Sequence, residues 1–331
     1  MHERENTTAV TEFVILGFPE FPGLEIPLFL LFLFMYLVIL IGNLTIVTVT
    51  YLDPHLHTPM YFFLCNLAFL DITSTSVTVP KLLDIFLRKH HHVSINACFT
   101  QVYFFIFSLS VESFLLAVMA FDRYVAVCHP LRYTTIMNWN VCVVMAAGSW
   151  ICGFVEPVAY TVLLSSFSYC RSNRINHFFC DLSALLKLSC TSTSTIEYMT
   201  HILGTLAGMP CVITTFVSYT YIISAILKIR SAKGRCKAFS TCSSHITVVI
   251  LFHGALLFSY MKPTSTQSLN QNKLCAVLYN VLIPMLNPMI YSLRNKEVKK
   301  ALRRLFSRKI CSRNQNFRSA SDHPASCLRE R

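Results

Sequence analysis

The sequence predicts an all-α fold, a bundle of seven transmembrane helices with the amino terminus outside the cell. Three observations carry this. The 331-residue chain is 54% hydrophobic and only 13% charged, about half the charged share of an ordinary soluble domain. Its mean hydropathy of +0.52 leaves too much apolar surface for one core to hide. The apolar residues also come in runs of bilayer length, and lipid is the solvent that suits them.

The first run, "IPLFLLFLFMYLVILIGNLTIVTVTYL", carries no charge between Glu25 and Asp53 and exceeds the roughly 20 residues a crossing needs. It reads as an uncleaved signal-anchor, because "MHERENTTAVTEF" before it lacks the short apolar core of a cleavable leader. Between Asp53 and Lys81 the only charge is Asp71, and Pro59 is placed to open the second helix. The third span is expected from about Cys98 to Asp122, interrupted by Glu112, and the fourth over about Val141–Leu163, containing Glu156. The fifth, sixth and seventh follow over about Tyr198–Leu227, Ala238–Tyr260 and Leu274–Leu293. This divides the chain into an outer segment 1–25, a bundle 26–294 and an inner tail 295–331, with a short amphipathic helix at 295–306 and a polar remainder.

Basic residues set the direction of insertion. Of 28 Lys and Arg, twelve follow the seventh span and five lie in "KIRSAKGRCK" at 228–237, which has no acid. An odd number of spans puts these segments on one face, so that face is cytoplasmic. The net charge of +12 therefore reads as a topology signal and an attraction to anionic membrane lipid, and no nucleic-acid partner is expected. On the outer side, "NTT" at 6–8 makes Asn6 a glycosylation acceptor. The same pattern at 43–45 lies inside a span and is expected to be unmodified.

Four of the 14 cysteines fall outside: Cys98 at the lip of the third helix, and Cys170, Cys180 and Cys190 in the long loop after the fourth. An oxidising compartment favours disulfides there, and four cysteines allow three pairings. A bond from Cys98 to the loop would pin it over the mouth of the bundle. "KHHH" at 89–92 reads as a solvated loop, since consecutive histidines do not converge well on a metal ion.

Ionisable groups inside a membrane are functional by default. Glu112 precedes Arg123 by 11 residues, about three turns or about 16 Å, so both face the bundle interior. Cys98 precedes Arg123 by 25 residues, about 37 Å, which puts them at opposite ends of one span. At the cytoplasmic end Asp122 neutralises Arg123. A guanidinium with two alternative partner sets is a two-state element. In "PMLNPMIYSLRN" Pro288 removes a backbone donor and bends the seventh helix, and Asn287 bonds at the break. Asp71, Glu112 and Asn287 are expected around one internal polar pocket that holds a cation or water.

Six stretches then carry a resemblance: "GN" at 42–43, "LHTPMYFFLCNLAFLD" at 56–71, "MAFDRYVAVCHPLRY" at 119–133, "SY" at 218–219, "KAFSTCSSH" at 237–245 and "PMLNPMIYSLRN" at 284–295. In this order and at these spacings the chain resembles an olfactory receptor of the rhodopsin-like, G-protein-coupled class over residues 6–306. The resemblance implies disulfides Cys98–Cys180 and Cys170–Cys190. It implies that Arg123 leaves Asp122 on activation as the sixth helix swings out, with Tyr124 in the same motif and Tyr219 and Tyr291 supporting the open state. It implies a small volatile odorant as ligand and a stimulatory G protein that raises cyclic AMP. The expected location is the plasma membrane, in olfactory neuron cilia. Phe121, Ala68 and His253 depart from the family's usual tyrosine, serine and tyrosine, and His253 lies near the pocket floor.

For the ligand pocket, the third helix offers Phe105, Ile106, Leu109 and Ser110, the fifth Leu203, Leu206 and Ala207, the sixth His253, Leu256, Leu257 and Tyr260, and the seventh Asn280. This mostly apolar lining suits a small molecule. No acid is expected to face an amine, so the expected ligand is neutral and largely hydrophobic. A multi-pass transporter of a small solute is the alternative. It would show repeated halves with paired broken helices, and only one Asn-Pro break occurs. Neither GxSxG nor HExxH is present, so no enzyme activity, cofactor or metal is expected.

Overall fold

In lipid a backbone keeps its hydrogen bonds only by pairing them within a helix or a closed barrel, and the uncharged runs take the first course. The computed structural model describes residues 11–170, 172–229, 231–260, 269–290, 297–305 and 307. Among them α1 spans Glu25–Leu52, α2 Pro59–Arg88 and α3 Ile95–Cys128. Further on, α4 spans Trp139–Ser165, α5 Ser194–Leu227 and α6 Ala232–Tyr260. The seventh, α7, is broken: Leu269–Val277, a π-helical segment Leu278–Leu282, and Ile283–Pro288. The first five are long and apolar enough to cross a membrane, and α6 is apolar over His245–Tyr260. The chain is a multi-pass membrane protein with the seven-helix architecture. Residues 297–305 form a further helix on the inner side.

Local chemistry fixes the ends. Pro59 stands at the first turn of α2, where its missing N–H costs nothing. Ser94 caps α3 by accepting from the Ala97 N–H at 3.3 Å, and Asn138 caps α4 by accepting from the Val141 N–H at 3.1 Å. Several helices run past the expected spans, α3 over Ile95–Cys128 and α5 from Ser194.

The centre of the bundle is α3, which packs on α2, α4, α5 and α6. Gly153 lets α4 approach α3 so closely that a Cβ there would collide with Val111. At Gly42 a Cβ would stand 2.8 Å from the Pro288 ring, so α1 rests against the bend of α7. Asn43 adds a bond to the Pro284 carbonyl at 3.2 Å. Large apolar side chains such as Leu30, Phe34, Val144, Ile151 and Phe216 face outward, the surface lipid covers.

A small sheet that the sequence analysis did not foresee covers the outer face. β1 (Glu12–Ile15) pairs antiparallel with β2 (His92–Ser94) and parallel with β3 (Arg174–Ile175). Residues 89–91 are the solvated loop expected of the histidine run, and His92 opens β2. His90 faces Asp84 at 3.2 Å, His91 the Ile15 carbonyl at 2.7 Å and His92 the Glu12 carboxylate at 3.3 Å. The disulfides Cys98–Cys180 and Cys170–Cys190 both form. The first ties the loop to α3, and a short helix, Leu182–Leu186, lies over the bundle with Asp181 as its cap. Gln101 of α3 accepts from the Cys180 N–H at 2.8 Å. Lys273 of α7 completes the cover by binding Glu20 and Asn176, each at 2.7 Å.

Within this cover His177 is 1% exposed and stacks on Phe178 with centroids 4.8 Å apart. Burial, against a smaller opposing pull from the Asp181 carboxylate, lowers its pKa from 6.5 to about 4. Between those values the unfolded chain binds more protons than the folded one. Its contribution is present above pH 6.5 and is lost as pH falls toward about 4. Thermal unfolding of detergent-solubilised protein should show Tm dropping across that window, and His177→Phe should flatten the drop.

Candidate functional site

Beneath the cover lies a cavity of about 200 Å³ bounded by α3, α4, α5, α6 and the loop helix. Of the residues expected to line it, Ile106, Leu109, Ser110, Ala207, His253, Leu256, Leu257 and Tyr260 do so. Four stand elsewhere. Phe105 is 2% exposed and packs on Phe179 and Tyr279, with centroids 4.6 and 5.8 Å away, so it supports the cover from below. Leu203 joins the apolar cluster under the loop. Leu206 is 68% exposed on the outer face of α5, because adjacent positions rotate by about 100°. Asn280 binds Thr78 at 2.7 Å and Ser74 at 3.4 Å, holding the π-helical part of α7 to α2.

The expectation that no acid faces the cavity is overturned. Glu156 of α4 lines it, and its Oε2 accepts from the Ser110 hydroxyl at 2.7 Å. Leu182 forms part of the roof. The charge at 156 was visible in the sequence, but the rotation of α4 was not. On the floor, His253 Nδ1 is 3.1 Å from the Val249 carbonyl and Nε2 is 3.1 Å from the Ser113 hydroxyl. A carbonyl only accepts, so Nδ1 donates, and in a neutral ring Nε2 accepts from Ser113. Tyr260 donates to Asp181 Oδ2 at 2.9 Å, joining the top of α6 to the loop.

Deeper, Asn287 donates to Asp71 Oδ2 at 2.9 Å. Asp71 Oδ1, Asn287 Oδ1 and Glu112 Oε1 are buried without a hydrogen-bond partner among the described residues. Buried oxygens left so are costly unless water or a cation meets them.

At the inner end Asp122 is fully buried and accepts from the Tyr133 hydroxyl at 2.8 Å, while Arg123 Nε stands 3.9 Å from its carboxylate and 3.2 Å from the Met60 sulfur. Asp122 therefore has a second partner beside the arginine expected for it. Tyr124 meets His129 at 3.0 Å. Tyr219 meets His245 at 2.6 Å, joining α5 to α6 in a cluster with Ala120, Ile222 and Cys242. Tyr291 and Asn6 lie outside the described residues. On the tail helix Arg304 Nη2 reaches Asp53 at 2.8 Å. Burial raises the Asp53 pKa, but His55 and Arg304 outweigh it and hold the carboxyl below its usual value.

A covered apolar cavity outside, buried acids midway and a charge pair inside define a seven-helix membrane receptor. A sequence profile of the olfactory receptor family matches residues 32–309. Olfactory receptor 5AR1 of Mus musculus is 48% identical over 93% of this chain and 99% of its own length, and its Homo sapiens namesake 47% over the same shares. Olfactory receptor 1G1 of Gorilla gorilla gorilla is 48% identical over 92% of this chain and 97% of its own. The chain belongs to the olfactory receptor family, a family of receptors rather than enzymes.

Two outcomes follow from this geometry. Tyr133→Phe removes a hydrogen bond to a carboxylate worth about 1.5–3 kcal/mol, so basal G-protein activation should rise severalfold in cells with matched surface expression. His253→Tyr fills the floor beside Ser113 and should reorder the potencies of a volatile panel while surface expression survives; an unchanged order would count against a floor role.

Proposed function

We propose that the receptor binds small volatile odorants in the outer cavity and, when occupied, activates a stimulatory G protein that raises cyclic AMP, from the plasma membrane of olfactory cilia. The observation that carries this is the pairing of a roofed, mainly apolar cavity on α3, α5 and α6 with an inner charge pair on the same α3. An apolar cavity of about 150 Å³ takes benzene, so one of about 200 Å³ suits ligands of volatile size. Ligand pressed between α3 and α6 at the floor disturbs the Ser113–His253 contact. The inner end of α6 then leaves Tyr219, Arg123 exchanges Asp122 for the docking protein, and Tyr219 and Tyr291 support the opened arrangement. Asp71, Glu112 and Asn287 hold a cation or water between the two ends. Inner-leaflet anionic lipid binds the basic tail, and Asn6 carries glycan outside.

Two variants test the two ends separately. Gly208 lines the cavity, and a Cβ there meets nothing within 4 Å. Gly208→Leu should therefore fill the space without disturbing the fold and shift odorant potency at least tenfold. Arg123→Ala should abolish ligand-driven cyclic AMP with ligand binding retained. Uptake of the ligand without G-protein activation would favour a transporter instead.

A further inference from the structure

The lining of the cavity is more selective than its apolar character suggests. Four of its hydroxyls already donate to protein acceptors: Ser110 to Glu156, Ser113 to His253, Thr200 to the Ile196 carbonyl and Tyr260 to Asp181. The Glu156 carboxyl is different. It takes one bond, through Oε2. Among the described residues it has no ion pair and no hydrogen bond to Oε1. Among the described residues no Lys or Arg lines the cavity, although the chain carries 28 of them. Gly204 and Gly208 line the opposing wall on α5 one helical turn apart, which leaves room beside the carboxyl.

An acid in a largely apolar cavity that, among the described residues, no cation lines is half of an ion pair. Charge-assisted N–H to carboxylate bonds are roughly twice as strong as neutral ones. A ligand that brings its own cation meets the carboxyl and buries its chain against Ile106, Leu109 and Leu256. A carboxylic acid ligand would place like charges together. An alcohol would make the weaker, neutral bond.

We propose that Glu156 is the specificity-determining residue of the cavity, and that the receptor's preferred ligands are small aliphatic amines whose nitrogen pairs with its carboxylate. A neutral amine reaching a protonated carboxyl takes its proton: an N–H bond forms as the O–H bond breaks, and the ammonium and carboxylate remain paired. An amine already protonated reaches the same pair with an ionised carboxyl. This inference rests on the reading of the cavity as the ligand site.

The test uses hexylamine, hexan-1-ol and hexanoic acid on full-length receptor. The readouts are cyclic AMP in cells and ligand-induced thermal stabilisation of the purified protein. Wild type should respond to hexylamine at a concentration at least tenfold below that for hexan-1-ol and should ignore hexanoic acid. Glu156→Gln should bring the amine-to-alcohol ratio to near one, and Glu156→Asp should retain part of the preference. An unchanged ratio in Glu156→Gln, a wild type that prefers the alcohol, or no stabilisation by hexylamine overturns the proposal. Stabilisation that depends on Glu156 without cyclic AMP would sustain it while defeating the signalling reading. Cyclic AMP responses to other volatiles with none to amines would do the reverse.

Discussion

Hydrocarbon offers no hydrogen bonds, so each polar group that enters the bundle must find its partner within the protein. That constraint organises the molecule from one face to the other. Asn43 reaches across to the carbonyl of Pro284, Asn280 holds Thr78 and Ser74, Asn287 holds Asp71, and Trp150 donates to Asn66 at 2.9 Å. Each of these contacts joins two helices that apolar packing alone would leave free to slide or rotate. The same rule makes the exceptions informative, because an intramembrane oxygen without a partner is a place where water, an ion or a ligand belongs.

Seen this way, α3 is the axis of the receptor. Its outer end is bonded covalently to the loop through Cys98, its middle carries Ser110, Glu112 and Ser113, and its inner end carries Asp122 and Arg123. One wall of the outer cavity, the buried Glu112 and the charge pair are stations on one element. The inner station is a network rather than a pair, since Tyr133 on the following short helix holds Asp122 more closely than Arg123 does. The arginine is the less tightly held partner, 3.9 Å from the carboxylate against 2.8 Å for the Tyr133 hydroxyl.

Much of this was legible in the sequence, and the gaps have physical causes. Uncharged runs of bilayer length gave the helices, because lipid admits few alternatives. The disulfide partners followed from a resemblance, since four cysteines on one face leave the pairing open. The sheet escaped notice because strands of four, three and two residues are too short for a period to show. The pocket was read only in part because an apolar stripe does not reveal helix rotation: Leu206 and Ala207 are neighbours in sequence, yet one faces outward and the other the cavity. Glu156 was visible as a charge inside a span, but the turn of α4 that aims it inward is set by tertiary contacts such as Gly153 against Val111 and Trp150 on Asn66.

The bond from Tyr260 to Asp181 has a mechanical consequence. It fastens the upper end of α6 to a loop that is itself fastened to α3 by sulfur, while the middle of the helix is held by the Tyr219–His245 contact. Fifteen residues separate Tyr260 from His245, about 22 Å along the helix. Pinned at its top and again at its middle, α6 has its inner half beyond both of these fastenings, so the Tyr219–His245 bond is the latch any swing of that half has to strain.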